Sequence, residues 1–219
     1  RPTPELSFAV RYLKCNAGIV ITASHNPKEY NGYKVYGEDG GQLPLDSSEA
    51  VLEEVNKIKD ITTIQVMDFN AAKEAGLIEM IGPEIDDAYI ESLKTLSVLK
   101  IDQDILDKCR IIYTPIHGTG NKPVRRILKE TGFKNIYTVP EQELPDPDFS
   151  TVKYPNPEEK AAFELAISIA KDMDVDLIIG TDPDCDRVGI VVRNRDGEYI
   201  TLTGNQTGCI LMEYILSGM

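Results

Sequence analysis

Two short stretches hold the residue types that can do chemistry. The first is Asp182-Pro183-Asp184-Cys185-Asp186-Arg187. Three carboxylates at alternate positions of one loop repel each other, so a cation must offset their charge. Oxygen ligands with no histidine or cysteine among them select a hard ion, Mg²⁺ or Ca²⁺. An EF-hand does not fit: counted from Asp182, Arg187 stands where the glycine belongs and Arg193 where the bidentate glutamate belongs. Three protein carboxylates leave coordination positions open, which suits Mg²⁺ shared with a phosphate oxygen. Arg187 supplies a fork for the same phosphate. The alternative is a solvated acidic turn with Arg187 as a surface partner, although such turns seldom follow so apolar a stretch as Leu177-Ile178-Ile179.

The second stretch is Thr22-Ala23-Ser24-His25-Asn26-Pro27, followed by Asn31-Gly32 and Lys34. It offers a hydroxyl, an imidazole, an amide and an ammonium, a set suited to an anion passed to and from Ser24. Ser, Asn and Pro are also ordinary loop residues, and His25 would serve equally as a backbone hydrogen-bond partner. A Ser–His hydrolase lacks its elbow, since no G-x-S-x-G is present. Lys34 reads as a solvated lysine, or as an acid/base group whose pKa is lowered in a half-buried cleft beside a metal. His117, in a glycine-rich loop, reads as structural or as a supporting group.

These residues need elements to hold them. Gly18-Ile19-Val20-Ile21 reads as a strand covered on both faces, as in a parallel sheet, with the Ser24 loop at its C-terminal end. Residues 5–14 have helical spacing, Tyr33 to Tyr36 alternates as a short strand, and Leu45 to Ser48 caps a helix over roughly 48–58. Ile85 to Leu99 reads as a helix linking to a second unit. That unit runs strand (Cys109–Tyr113), helix (Pro123–Lys129), strand (Asn135–Val139), a proline-rich extended connection, helix from Asn156-Pro157-Glu158-Glu159 to about Met173, strand (Asp176–Gly180), then a hairpin of Val188–Arg193 with Glu198–Leu202. This βαβαβ order predicts a doubly wound α/β unit. A last helix is expected from Gly208 to Leu216. GIVIT, RIIYT and LIIGT each close an apolar run with Thr and open a polar loop. The chain's two histidines, His25 and His117, lie in two of those loops.

Composition narrows the partners. The 219 residues carry a formal net charge of −13, which argues against nucleic acid and anionic membranes. A phosphorylated small molecule stays compatible, because it needs only a few local cations or a metal. No apolar run approaches membrane-spanning length. Cys15, Cys109, Cys185 and Cys209 have no CxxC spacing and read as reduced thiols of a cytosolic protein. The opening Arg1-Pro2-Thr3-Pro4 has neither Met nor a signal peptide, as expected of a piece of a longer protein.

TASHNPxxYNGYK, the TDPDCDRVG loop and the PDPDF…YPNPEE segment together resemble the α-D-phosphohexomutase superfamily, in detail its bacterial phosphoglucomutase/phosphomannomutase branch. The resemblance implies two mixed three-layer α/β/α domains: a partial first domain over 1–98 with the phosphoserine loop, and a second over 99–197 with the metal loop. The start of a third would occupy 198–219. It implies that Ser24 carries a phosphoryl group, and that Asp182, Asp184 and Asp186 hold Mg²⁺, with the phosphoserine at Ser24 completing the ion's coordination. Arg187 would contact that phosphoserine, Lys34 would be the general acid/base, and His25 and Asn26 would line the loop. The implied reaction, in the cytoplasm, moves phosphate between C1 and C6 of a hexose, most simply glucose, by way of glucose 1,6-bisphosphate. Parts of the family's four-domain plan that read the sugar and bind its phosphate are missing from the chain, so Mg²⁺ binding without appreciable mutase turnover is expected. A phosphatase of haloacid dehalogenase type is the first rival, and a non-catalytic metal- or phosphate-binding module is the second.

Overall fold

A computed structural model describes residues 1–219. The first unit starts with α1 (Thr3–Tyr12), which lies on a ribbon of β1 (Ala17–Ile21) and β2 (Tyr33–Gly37). The two strands are antiparallel, with Gly18 opposite Tyr36 and Ile21 opposite Tyr33. β1 therefore does not lie in a parallel sheet, nor is it covered on both faces. Gly18 is buried beneath α1, where a Cβ would stand 2.5 Å from Val10 Cγ2. Ile19 and Ile21 are 52% and 69% exposed. An apolar run shows that a strand can be buried; it does not show what lies against each face.

α2 (Leu45–Lys57) begins directly after Pro44 and has no side-chain cap. Ser48, expected to cap it, donates instead to the carbonyls of Leu43 and Pro44. Val51, Leu52 and Val55 line a cavity of about 510 Å³ with Tyr33 and Val35, and no residue of α2 is fully buried. The short α3 (Phe69–Glu74) follows, then α4 (Pro83–Lys94), which starts on a proline and buries Ile85 and Ile90. α4 ends five residues before the expected Leu99. It packs on α1 through Phe8 and Tyr89, whose rings are 5.5 Å apart.

The α1–α4 contact buries Glu5 beside Asp86. Arg1 donates to Asp86 through Nε (2.6 Å) and Nη2 (2.8 Å) and holds that carboxyl below its ordinary range. Burial, with Asp86 next to it, pushes the Glu5 carboxyl up to about 7. Glu5 thus keeps its proton in the fold at pH values where the unfolded chain, near 4.5, has lost it. Its stabilising contribution is full below the unfolded value and is lost as pH rises toward 7. Glu5→Gln, which imitates the protonated form, is expected to stabilise the chain by ~1–3 kcal/mol at about pH 8 and to have little effect at about pH 4. Urea unfolding at both pH values checks this, and an equal effect at the two would defeat it.

The second unit begins with α5 (Gln103–Lys108) and β3 (Arg110–Thr114). It continues through α6 (Asn121–Glu130), β4 (Asn135–Thr138), α7 (Pro140–Glu143), α8 (Glu164–Met173), β5 (Leu177–Thr181), β6 (Val188–Arg193) and β7 (Tyr199–Thr201). The sheet order is β4-β3-β5-β6-β7. β4, β3 and β5 are parallel, and β6 and β7 form an antiparallel edge. The core is Ile112, Val139, Phe163, Ala166, Ala170, Val175, Ile178 and Val191. α4 reaches this unit too, through ion pairs of Asp87 with Arg126 and of Lys94 with Glu130.

Three expectations give way here. Asn156-Pro157-Glu158-Glu159 starts no α-helix: Asn156 Oδ1 accepts from Glu158 N in a turn, and a 3₁₀ turn over Lys160–Phe163 delivers Phe163 to the core before α8 begins. The capping pattern is present, but packing of Pro157 against β6 overrides it. The proline-rich connection is not uniformly extended, since it contains α7, whose Gln142 is buried. β7 pairs with β6 in the second sheet, as the hairpin reading expects, and Gly197 lies in the turn between them. The last helix, α9 (Gly204–Ser217), starts four residues before the expected Gly208, because Thr203 and Gln206 form a capping box. No helix is long and apolar enough to cross a membrane.

Candidate active site

The three loops of the internal echo follow β1, β3 and β5. The loop after β1 turns sharply. Ser24 has φ +52°, Ser24 N donates to Thr22 Oγ1 (2.9 Å), and Asn26 N donates to the Ala23 carbonyl (3.0 Å). Left-handed backbone at a non-glycine residue is strained, and the surrounding structure must hold it. Gly32 closes the base of the loop, where a Cβ would stand 2.0 Å from the Thr22 carbonyl oxygen.

The loop after β5 folds around its own first carboxylate. Asp182 Oδ1 accepts from Asp186 N (3.1 Å) and Arg187 N (2.9 Å), and Cys185 takes φ +59° in the bend. One ligand oxygen from each of Asp182, Asp184 and Asp186 lies within 4.8 Å of the others. Asp182 is 0% and Asp184 3% exposed, so two of the three carboxylates are withdrawn from solvent, while Asp186 is exposed.

The two loops meet. Ser24 Oγ donates to Asp182 Oδ2 at 2.9 Å, across 158 positions of sequence. His25 Nδ1 lies 3.2 Å from the same hydroxyl. Lys34, carried in on β2, places Nζ 2.9 Å from Asp184 Oδ2 and 3.0 Å from Asp186 Oδ2. Partial burial opposes the charge on Lys34, but the two carboxylates outweigh it and its pKa is raised. Without an ion Lys34 is therefore a firmly charged ammonium paired with both carboxylates; the lowered pKa expected beside a metal belongs to the ion-bound site. His25 moves the other way: burial comes first, then the Arg187 guanidinium, and the imidazole is held below its usual value. Arg187 is near enough for its charge to act on His25, and its side chain donates to Glu158 at 3.4 Å.

The donor set fits a hard divalent cation. All three ligands are oxygens, two are buried, and Asp184 Oδ1 is buried with no hydrogen-bond partner. A carboxylate oxygen is left in that state only at a cost of ~1–3 kcal/mol or more, which a coordinated cation removes.

His117 is not part of this cluster. It is buried, with Nδ1 2.8 Å from the Leu144 carbonyl and Nε2 2.7 Å from Thr151 Oγ1. Ile116 and His117 are both left-handed (φ +46° and +61°), and this strained loop backs the metal loop. Thr119 N (2.8 Å) and Oγ1 (3.0 Å) both donate to the Pro183 carbonyl, and a Cβ on Gly118 would stand 2.5 Å from Pro183 Cα. Sequence reasoning missed Thr119, and it missed Thr3, whose Oγ1 donates to Asp184 Oδ2 at 3.0 Å. It also missed Lys28, which pairs with Asp148 (2.8 Å). No local pattern marks these residues, because each partner lies 64 to 181 positions away.

Residues 1–62 match the family model of phosphoglucomutase/phosphomannomutase α/β/α domain I, and residues 87–197 match that of domain II. The chain belongs to the phosphoglucomutase/phosphomannomutase family. It is 44% identical over 213 residues to a phosphoglucomutase of Staphylococcus saprophyticus, covering 97% of this chain and 38% of that protein. It is 39% identical over 214 residues to a phosphoglucomutase of Staphylococcus aureus (strain N315), covering 98% and 38%. Among solved structures, a Thermus thermophilus protein provisionally named a phosphomannomutase superposes with a TM-score of 0.68 at 27% identity, over 90% of this chain and 41% of that one. The chain thus spans about two fifths of the length of these relatives. The two mixed α/β units described above are this family's domains I and II.

Family membership and geometry both disfavour a haloacid dehalogenase phosphatase. That chemistry needs the first Asp as a free nucleophile. Here Asp182 Oδ1 is committed to two backbone N–H groups and Oδ2 to Ser24.

Proposed function

We propose that this chain is the phosphoryl-transfer half of a phosphohexomutase that interconverts hexose 1-phosphate and hexose 6-phosphate, with glucose as the preferred hexose. Ser24 accepts and returns the phosphoryl group, and glucose 1,6-bisphosphate is the intermediate that loads it. Asp182, Asp184 and Asp186 hold Mg²⁺ together with the phosphorylated Ser24. The ion supplies charge neutralisation at the transferred phosphoryl group. The contact that carries this reading is Ser24 Oγ on Asp182 Oδ2.

Ser24 Oγ attacks a phosphorus of the sugar bisphosphate. A new Oγ–P bond forms while the sugar O–P bond breaks. With Asp182 given over to the ion, the Ser24 hydroxyl would turn its hydrogen from Asp182 Oδ2 to His25 Nδ1, 3.2 Å away, which takes the proton. The departing sugar oxygen takes a proton from Lys34 Nζ. Arg187 adds a fixed positive charge beside the transferred group. We place the division between the two domains near residue 98 and the beginning of a third after the β6–β7 hairpin. The net charge of −13 supports a small phosphosugar as partner over nucleic acid or an anionic membrane, and the four unpaired cysteines support a cytoplasmic setting.

Incubation with glucose 1,6-bisphosphate and Mg²⁺ is expected to add the mass of one phosphoryl group to the chain. The modification should map to Ser24 and be absent from Ser24→Ala. Phosphate on an aspartate, or no transfer at all to a chain that binds the ion, would remove this reading. The second outcome would leave a non-catalytic binding module.

A further inference from the structure

Asp184 is tied to the first domain by main chain and side chain alike, and Thr3 alone makes both kinds of tie. Thr3 N donates to the Asp184 carbonyl at 2.8 Å, and Thr3 Oγ1 donates to Asp184 Oδ2 at 3.0 Å. Thr3 is buried and is the first residue of α1, where N–H groups have no partner within the helix. Pro2 and Pro4 bracket it and fix the entry of the chain into the helix. Its short, branched side chain is therefore a stiff donor. Lys34, which shares Oδ2, is a long ammonium able to follow its partners. The other oxygen of the same carboxylate, Oδ1, is buried and has no partner.

We propose that Thr3 is a positioning residue for the Asp184 carboxylate: its hydroxyl holds Oδ2 and so turns the unpartnered Oδ1 toward the divalent cation. The inference rests on the reading that the acidic triplet holds such an ion. Partners that orient a ligating group commonly govern ion affinity as strongly as a weak ligand does. This one also joins the domains, because the hydroxyl comes from the serine-loop domain and the carboxylate from the metal-loop domain. Well-ordered docking of α1 thus becomes a condition for tight ion binding.

The test is calorimetric titration of Mn²⁺ into the 219-residue chain, with thermal melts alongside. Thr3→Val removes the hydroxyl and keeps the branched shape and the backbone N–H; it is expected to weaken Mn²⁺ binding by ~10-fold or more. Thr3→Ser keeps the hydroxyl and is expected to stay within ~3-fold of the unmodified chain. Ser7→Ala is the control for simple destabilisation. It removes another hydroxyl bond of the same helix, Ser7 Oγ to the Gly40 carbonyl at 2.6 Å, and should lower the melting point without changing affinity. Should T3V unfold, T3A removes the same hydroxyl with less bulk. Unchanged affinity in T3V, or an equal loss in S7A, overturns the proposal while the metal reading stands. No Mn²⁺ binding by the unmodified chain overturns both.

Discussion

Asp182→Asn is expected to lower the affinity for a divalent cation by at least ~100-fold and, with no cation present, to raise the thermal midpoint. On the proposed reading the two effects have opposite signs, because the triplet would then serve the ion and not the fold. Asp182 is fully buried, and its carboxylate lies within 4.8 Å of two others. Lys34 answers Asp184 and Asp186, while the donors to Asp182 are neutral N–H and O–H groups. Asparagine keeps an oxygen for the N–H groups of Asp186 and Arg187 and can donate its amide to Ser24 Oγ. It removes one buried charge and loses no hydrogen bond. Burial of the carboxyl first, and Asp184 beside it second, penalise the charged form of Asp182, and relief of that penalty should stabilise the ion-free chain by ~1–2 kcal/mol, or ~2–8 °C. Calorimetric titration with Mn²⁺ and melts in chelator check the pair of effects. A D182N chain that binds the ion normally, or one that melts lower in chelator, would show that the carboxylate is structural.

The largest loss of stability is expected from Gly189→Ala. β6 passes so close to the 155–163 segment that a Cβ at Gly189 would stand 2.0 Å from the Pro157 carbonyl oxygen and 2.9 Å from Phe163 Cζ. The first neighbour is backbone and the second is a buried ring of the core, so neither yields cheaply. Strand or segment must shift, at ~2–4 kcal/mol, which for a chain of this length is ~4–16 °C of melting temperature. Gly204→Ala, whose Cβ would meet nothing within 4 Å, is the comparison and should cost less than ~1 kcal/mol. Thermal melts of both variants decide the matter, and a near-neutral G189A would mean that the close approach is not maintained in solution.

The same close approach explains why the helix start read at Asn156-Pro157-Glu158-Glu159 does not form. The capping residues are favourable by about 1 kcal/mol each, less than the burial of Phe163 and the seating of Pro157 against β6. Where local preference and packing agreed, as in α1, α4, α6 and the strands β3 to β6, the elements were readable to within a few residues. Where partners came from far away they were not. GIVI did announce a strand. Its antiparallel partner and its open face depend on what lies across from it, and an apolar run carries no record of that.

The acidic loop and the serine loop were legible because their chemistry is local. Three carboxylates in five residues after an apolar strand point to a cation before anything is known of the rest of the chain. TASHNP with Lys34 likewise marks an anion-handling loop, and the joint resemblance of both motifs pointed to the family whose domains the chain carries. Only the folded chain decided that Ser24 and Asp182 share a hydrogen bond, that Lys34 lies between Asp184 and Asp186, and that His117 is a buttress. Only the folded chain, too, revealed Thr3 on Asp184 and Thr119 on Pro183. The reason is physical. Charge density and apolar runs are properties of neighbours along the chain, whereas a contact across 158 or 181 positions exists only after α1 and the sheet of the second domain have docked.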